Sequence, residues 1–182
     1  MAEATFVNGV DVAELREKAQ ALKEDPELAK FHFQARNQWL DGGHSRTTVT
    51  QFHGVKEDIA HDRPFELEAD EPHVLLGGDQ GANPVEHLLN ALVTCLTGAM
   101  VYHAAIRGIH IEELESTVEG DIDVRGFMGL SDEVRKGYQN IKVSFRVKAD
   151  APAEKLEECA RFSPVFDTVT NGTNVDLRVE VG

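Results

Sequence analysis

Asn83-Pro84-Val85-Glu86-His87-Leu88-Leu89-Asn90-Ala91-Leu92-Val93-Thr94-Cys95-Leu96 opens the longest apolar stretch of the chain, which continues to Ile106. Asn is a favoured N-cap, Pro suits the first helical position, and Glu86 stands three residues after the cap, so the stretch reads as a helix that begins at Asn83. Nothing breaks it before Gly108, a residue suited to the terminating position. At 1.5 Å per residue such a helix is roughly 35 Å long, close to the full width of a domain of this size. The segment carries Asn90, Thr94, Thr97, Gly98 and His103 and stands alone in an otherwise polar chain. A buried central helix is therefore expected rather than a membrane span.

On both sides of this helix the period changes to two. Before it, Phe31, Phe33, Ala35 and Trp39 alternate with polar residues, Asp41-Gly42-Gly43 makes a turn, and His44 to His53 returns as the second strand of a hairpin. Phe65 to Ala69 reads as a third strand. After the helix, Leu114, Val118, Ile122 and Val124 share one strand face and Glu113, Glu115, Glu119, Asp121 and Asp123 the other. Ile141, Val143, Phe145 and Val147 then alternate with Lys142, Ser144, Arg146 and Lys148, so acidic and basic faces can pair across an antiparallel ladder. A second helix from about Pro152 to Phe162 buries Leu156, Cys159 and Ala160, and Val175, Leu177, Val179 and Val181 form a last strand. The fold class is α+β: antiparallel sheets packed on a long central helix and a second helix.

Val12, Leu15, Ala19 and Leu22 recur at helical spacing until Asp25-Pro26 interrupts them. Residues 1–30 read as an N-terminal helical extension, too short to bury a core of its own, and 31–182 as the main domain. The opening residues mix Glu3, Asn8 and Asp11 with single apolar residues, so no signal peptide is expected and the protein is read as soluble and cytoplasmic.

Composition narrows the function. Among 182 residues, 18 Lys and Arg face 32 Asp and Glu, a formal charge of −14. Nucleic-acid and anionic-membrane affinities are built from clustered basic charge, so neither partner is expected. Two cysteines are too few for a disulfide scaffold or a structural zinc site. The eight histidines share no ligand spacing on a helix face, and no metal or cofactor is assigned. Gly77-Gly78-Asp79-Gln80-Gly81 precedes a helix N-terminus but lacks Rossmann and P-loop spacing, and reads as a turn.

Cys95, mid-helix, is either a packing residue or a nucleophile. It lies twelve residues past the cap, beyond reach of the helix dipole, so an arginine from elsewhere must activate it if anything does. Glu86 completes a capping box, which alone accounts for it. Nine residues separate it from Cys95, about 180° round the helix and roughly 13 Å along it, so the two can cooperate only across two subunits. Cys159 falls at an interior spacing. Ser163 precedes a proline, which holds it outside the second helix and turned towards a cleft.

The run Asn83–Leu96 resembles the central-helix motif of the OsmC/Ohr family of osmotically induced and organic-hydroperoxide-resistance proteins. Gly120-Asp121-Ile122-Asp123-Val124-Arg125-Gly126-Phe127 resembles its next strand, and Ser163-Pro164-Val165-Phe166-Asp167 its late motif. The resemblance implies an intertwined homodimer with active sites at the subunit interface and thiol-dependent reduction of hydroperoxides. It implies a peroxidatic Cys at Cys95, an activating Arg oriented by a Glu, and reduction by external thiols. The pattern departs at three places: Val85 stands where the organic-hydroperoxide branch has its Glu, Ser163 where it has its resolving Cys, and His44 where its Arg follows a Gly-Gly turn. The candidate catalytic set is therefore Cys95, Glu86 and Arg46, the last chosen because it shares a strand face with His44. The alternative is a non-catalytic module in which Cys95 merely lines a cleft holding a hydrophobic ligand.

Overall fold

The computed structural model describes residues 6–182, which fall into two compact units. The first comprises Phe6 and Asp11–Leu88; the second comprises Val7–Val10 and Leu89–Gly182. The opening residues of the N-terminal extension lie outside the described residues.

Strands β1 (Phe6–Val7) and β2 (Val10–Asp11) precede α1 (Val12–Glu24), the first helix of the first unit. Asp11 caps α1 by accepting from the N–H groups of Ala13 and Glu14. Asp25 ends that helix and its carboxylate starts a 3-10 turn, Pro26–Ala29, as the Asp-Pro interruption suggested. An antiparallel sheet follows, with β3 (His32–Phe33), β4 (Arg36–Asp41), β5 (His44–Gly54) and β6 (Glu57–Ala69). The expected strand from Phe31 is thus two, which occupy one edge of β5 in succession while β6 occupies the other. Phe31, Phe33, Phe52, His61 and Phe65 form a continuous row of ring contacts, 4.9–6.1 Å between neighbouring centroids. Much of that row is open: Phe33 is 72% and Phe65 48% exposed.

The helix α2 (Pro84–Ile106) has the expected bounds within a residue. Its continuation in the second unit carries the stripe Leu92, Leu96, Met100 and Ala104, at i, i+4 spacing, which forms the core with Leu156, Cys159 and Ala160. Beside this core lie the inward residues of β7 (Ile111–Asp121) and β8 (Asn140–Ala149), among them Leu114, Val143 and Phe145. Glu119 faces Lys142 and Glu115 faces Arg146 in the ladder, and both pairs close as exposed ion pairs. Asn8, in a left-handed turn ahead of Gly9, clamps the loop before β7: its Nδ2 donates to Ile109 O at 2.9 Å and its Oδ1 accepts from Ile111 N at 2.8 Å.

Three expectations are corrected in this unit. β7 stops at Asp121, and Val124–Phe127 forms a short helix, α3, because Asp123 caps it through the N–H of Arg125. Ser163 does not face a cleft. It is 1% exposed, and its Oγ caps a further helix, α5 (Pro164–Asn171), which follows α4 (Ala153–Ala160). Ser-Pro at an N-terminus and Gly172 at the end were the available signal for α5. Finally, the segment expected as the last strand forms none. Val175, Leu177, Val179 and Val181 are 79–94% exposed, since a strand persists only where another supplies its hydrogen bonds.

Candidate functional site

The Gly-rich loop is organised from within. Asp70, 2% exposed, accepts hydrogen bonds from the N–H groups of Glu71 (2.8 Å), Gly78 (3.0 Å) and Gln80 (3.2 Å). Burial alone would raise its pKa, but the bonds from Gln80, Glu71 and Gly78 hold it below the ordinary carboxylate value. Glycine is required at two places: a Cβ on Gly77 would lie 1.8 Å from Glu71 O, and one on Gly81 2.4 Å from Glu68 O. Within the loop the N–H groups of Gly78 and Gln80 are spent on Asp70, that of Gly77 on Pro72 O and that of Asp79 on Glu71 O, so the segment is a turn, as its spacing suggested.

At the start of α2 the capping box is complete. Asn83 Oδ1 accepts from Val85 N at 2.9 Å, and Glu86 Oε2 accepts from Asn83 N at 2.8 Å. Glu86 is thus engaged with the helix terminus. Arg46 is held elsewhere: its Nε donates to Glu68 Oε1 at 2.5 Å, while His44 Nε2 meets Glu68 Oε2 at 2.8 Å. Glu68 lies opposite Arg46 in the β5–β6 ladder and went unnoticed in the sequence, because only the register brings the two together. The Arg46 guanidinium first, and His44 second, hold the Glu68 carboxyl below its usual range.

Cys95 and Cys159 both lie in the second unit as free thiols. Cys159 is sealed in the core, with no exposed surface. Cys95 is half-buried, on a side of α2 shared with Ala91, Ala99 and the half-exposed Tyr102. A Cβ added to Gly98 would meet nothing within 4 Å, so space lies against the helix there. Farther along, His103 stacks on Phe162 with ring centroids 3.9 Å apart; partial burial, and then the charge of Arg107, lower its pKa. Among the described residues, no group of three or more His, Cys, Asp and Glu side chains is placed to hold a metal ion.

An apolar cavity of about 490 Å³ opens in the second unit, lined by Leu96, Met100, Phe145, Leu156 and Phe166 among others, with Glu157 and Arg161 as its charged members. Cys95 does not line it.

The model of the OsmC-like protein family matches residues 77–178, more than half of the chain. The chain belongs to the OsmC-like family. The matched segment contains α2 with Cys95, the β7–β8 pair, α4 and α5; Arg46 and Glu68 precede it. Among curated proteins no sequence matches. Solved structures give the same fold. An OsmC-like protein from Mycoplasma pneumoniae superposes with a TM-score of 0.54 at 16% identity, over 75% of this chain and 86% of its own. A putative osmotic stress induced and detoxification response protein from Psychrobacter arcticus gives 0.55 at 13% identity, over 76% and 88%. A third, described as an organic hydroperoxide resistance protein OsmC and predicted redox protein from Legionella pneumophila, gives 0.50 at 16% identity, over 77% and 91%. At these identities the structural likeness establishes the α+β OsmC-like fold, and the family match carries the membership.

Proposed function

We propose that this OsmC-like protein reduces organic hydroperoxides in defence against oxidative stress, with Cys95 as nucleophile. The observation that carries the reading is the contrast between the two thiols: Cys159 is sealed in the core, whereas Cys95 reaches the surface on an incompletely covered side of α2. The family membership and the Legionella neighbour's description as a hydroperoxide resistance protein support a stress-related role. In the reaction the Cys95 thiolate attacks one peroxide oxygen, the O–O bond breaks, and the departing alkoxide takes a proton to leave as an alcohol. The product is a sulfenic acid. A first external thiol displaces water to give a mixed disulfide, and a second releases Cys95 and carries away the disulfide, so two thiols supply the two electrons without a cofactor. Arg46 supplies the cation that favours the thiolate in this reading.

The working form is a soluble cytoplasmic homodimer with the site at the subunit interface. The uncovered side of α2, the open aromatic row of the first unit's sheet and the segment 173–182, which forms no strand with the described residues, support a second copy as the missing cover.

The test is hydroperoxide consumption with dithiothreitol. Cys95→Ser is expected to abolish it and Cys159→Ser to leave a measurable rate; equal loss in both would overturn the assignment. The 490 Å³ apolar cavity favours a second reading, a module that binds a hydrophobic ligand. Because Cys95 does not line the cavity, binding of a fatty acid unaffected by Cys95→Ser, with no peroxide turnover, would decide for that reading.

A further inference from the structure

We propose that the cavity of the second unit binds an alkyl carboxylate, a fatty acid, with its charged end on Arg161 and its chain among the apolar lining residues. The inference rests on the hydrophobic-ligand reading of that cavity and gives the ligand its chemical class. It is independent of Cys95, which lies outside the lining.

The walls come from elements of one unit. Leu96 and Met100 enter from α2, Val143 and Phe145 from β8, and Leu156 from α4. Glu157 and Arg161 are the polar side chains of the lining, so the interior offers a ligand nothing to hydrogen-bond. A volume of about 490 Å³ lies in the range that holds small organic ligands. A hydrocarbon chain is what such walls accept.

The rim carries a cation suited to a head group. Arg161 ends α4, and its guanidinium carbon lies 5.9 Å from the ring centre of Phe166, another lining residue. Phe166 is fixed in turn, because its N–H donates to the buried Ser163 Oγ at 3.1 Å. Among the described residues no carboxylate lies within ion-pairing distance of this guanidinium, Glu157 one turn earlier included. Contact with a ring face leaves the in-plane N–H donors open, and their planar fork matches a carboxylate. Glu157 would be the anchor for a cationic head group, but among the described residues no ring backs it as Phe166 backs Arg161.

The test titrates the full chain, carrying carbon-13 at its methionine methyl groups, with octanoate, decanoate and dodecanoate below their micelle concentrations. Binding is followed by NMR and calorimetry. Met100 lines the cavity, whereas Met128 is exposed at the end of α3. The Met100 methyl signal is expected to shift and that of Met128 to stay. Each added methylene should tighten Kd about three- to fourfold. Decanol should bind about tenfold more weakly than decanoate, and decanoate should bind Arg161→Gln about tenfold more weakly than the unchanged chain. Glu157→Gln, which removes a repelling charge, should bind decanoate more tightly. Both substituted residues are exposed, so neither change disturbs the core. Decanol within about threefold of decanoate, or Arg161→Gln within about threefold of the unchanged chain, would overturn the carboxylate assignment and leave the hydrophobic-ligand reading standing. No shift at Met100 with any of the three acids would overturn both. So would a shift that accompanies dissociation of a dimer, because a second copy would then be the occupant.

Discussion

Cys95 and Cys159 differ in what surrounds them more than in chemistry. After one equivalent of peroxide, Cys95 is expected to hold a sulfenic acid that dimedone or an external thiol traps, because Cys159, the other thiol, is locked in the core with Leu92, Leu96 and Leu156. Intact mass checks this: a gain of one oxygen or one dimedone adduct is expected, and a loss of two hydrogens with a Cys95–Cys159 linked peptide refutes it. Cys159→Ser should still cost about 1–3 kcal/mol of stability by burying a hydroxyl in an apolar core, read from the urea midpoint. A second residue-scale expectation concerns acid. Asp123 is held at about 2 by the Arg125 side chain and then its N–H, and Asp70 also lies below 3.8. Depressed carboxyl groups stabilise the fold fully above their unfolded value and lose that contribution as pH falls through the folded one. Stability should therefore decline between pH 3.8 and about 2, and Asp123→Asn should flatten the decline when urea unfolding is followed across that window.

At the scale of elements, the β5–β6 hairpin contains a local conflict. Its turn places Val55 at φ 49° and Lys56 at φ 67°, a conformation suited to Asn-Gly and costly for a β-branched residue. Val55→Asn, which leaves the Lys56 Nζ–Asp25 pair in place, should stabilise the protein by about 1 kcal/mol, measured as a raised urea midpoint with an unchanged slope. An unchanged midpoint would mean that the turn carries no strain. The same element shows where sequence reading stopped short. β5 and α2 were legible because period and capping residues are local. The Arg46–Glu68 pair was not, since it depends on a register across a hairpin with an irregularity between Val49 and Gln51. α5 is hard to see in the sequence because Ser163-Pro164 serves both to end α4 and to start the next helix.

At the scale of the molecule, the exposed alternation of Val175, Leu177, Val179 and Val181 is the largest departure from the expected fold. Its apolar side gains by burial only against another sheet or helix. The protein is expected to sediment at twice its chain mass of 20.1 kDa, and a stable monomer at micromolar concentration would refute this. Leu177→Glu with Val179→Glu should raise the dimer dissociation constant at least about tenfold, since fully burying one such side chain is worth about 1.5–3 kcal/mol. A dimer unaffected by these changes would place the interface elsewhere. The sequence by itself determined the central helix from Asn83, the alternating faces of β7 and β8, the α+β class and the OsmC-like likeness, because caps, periodicity and motif order are written in neighbouring residues. Tertiary structure alone decided that Glu68 holds Arg46, that Ser163 is buried as a cap, and that the last segment forms no strand with any of the described residues. Each of those outcomes depends on which distant groups compete for the same hydrogen bond or the same apolar surface, and that competition is resolved only when the chain folds.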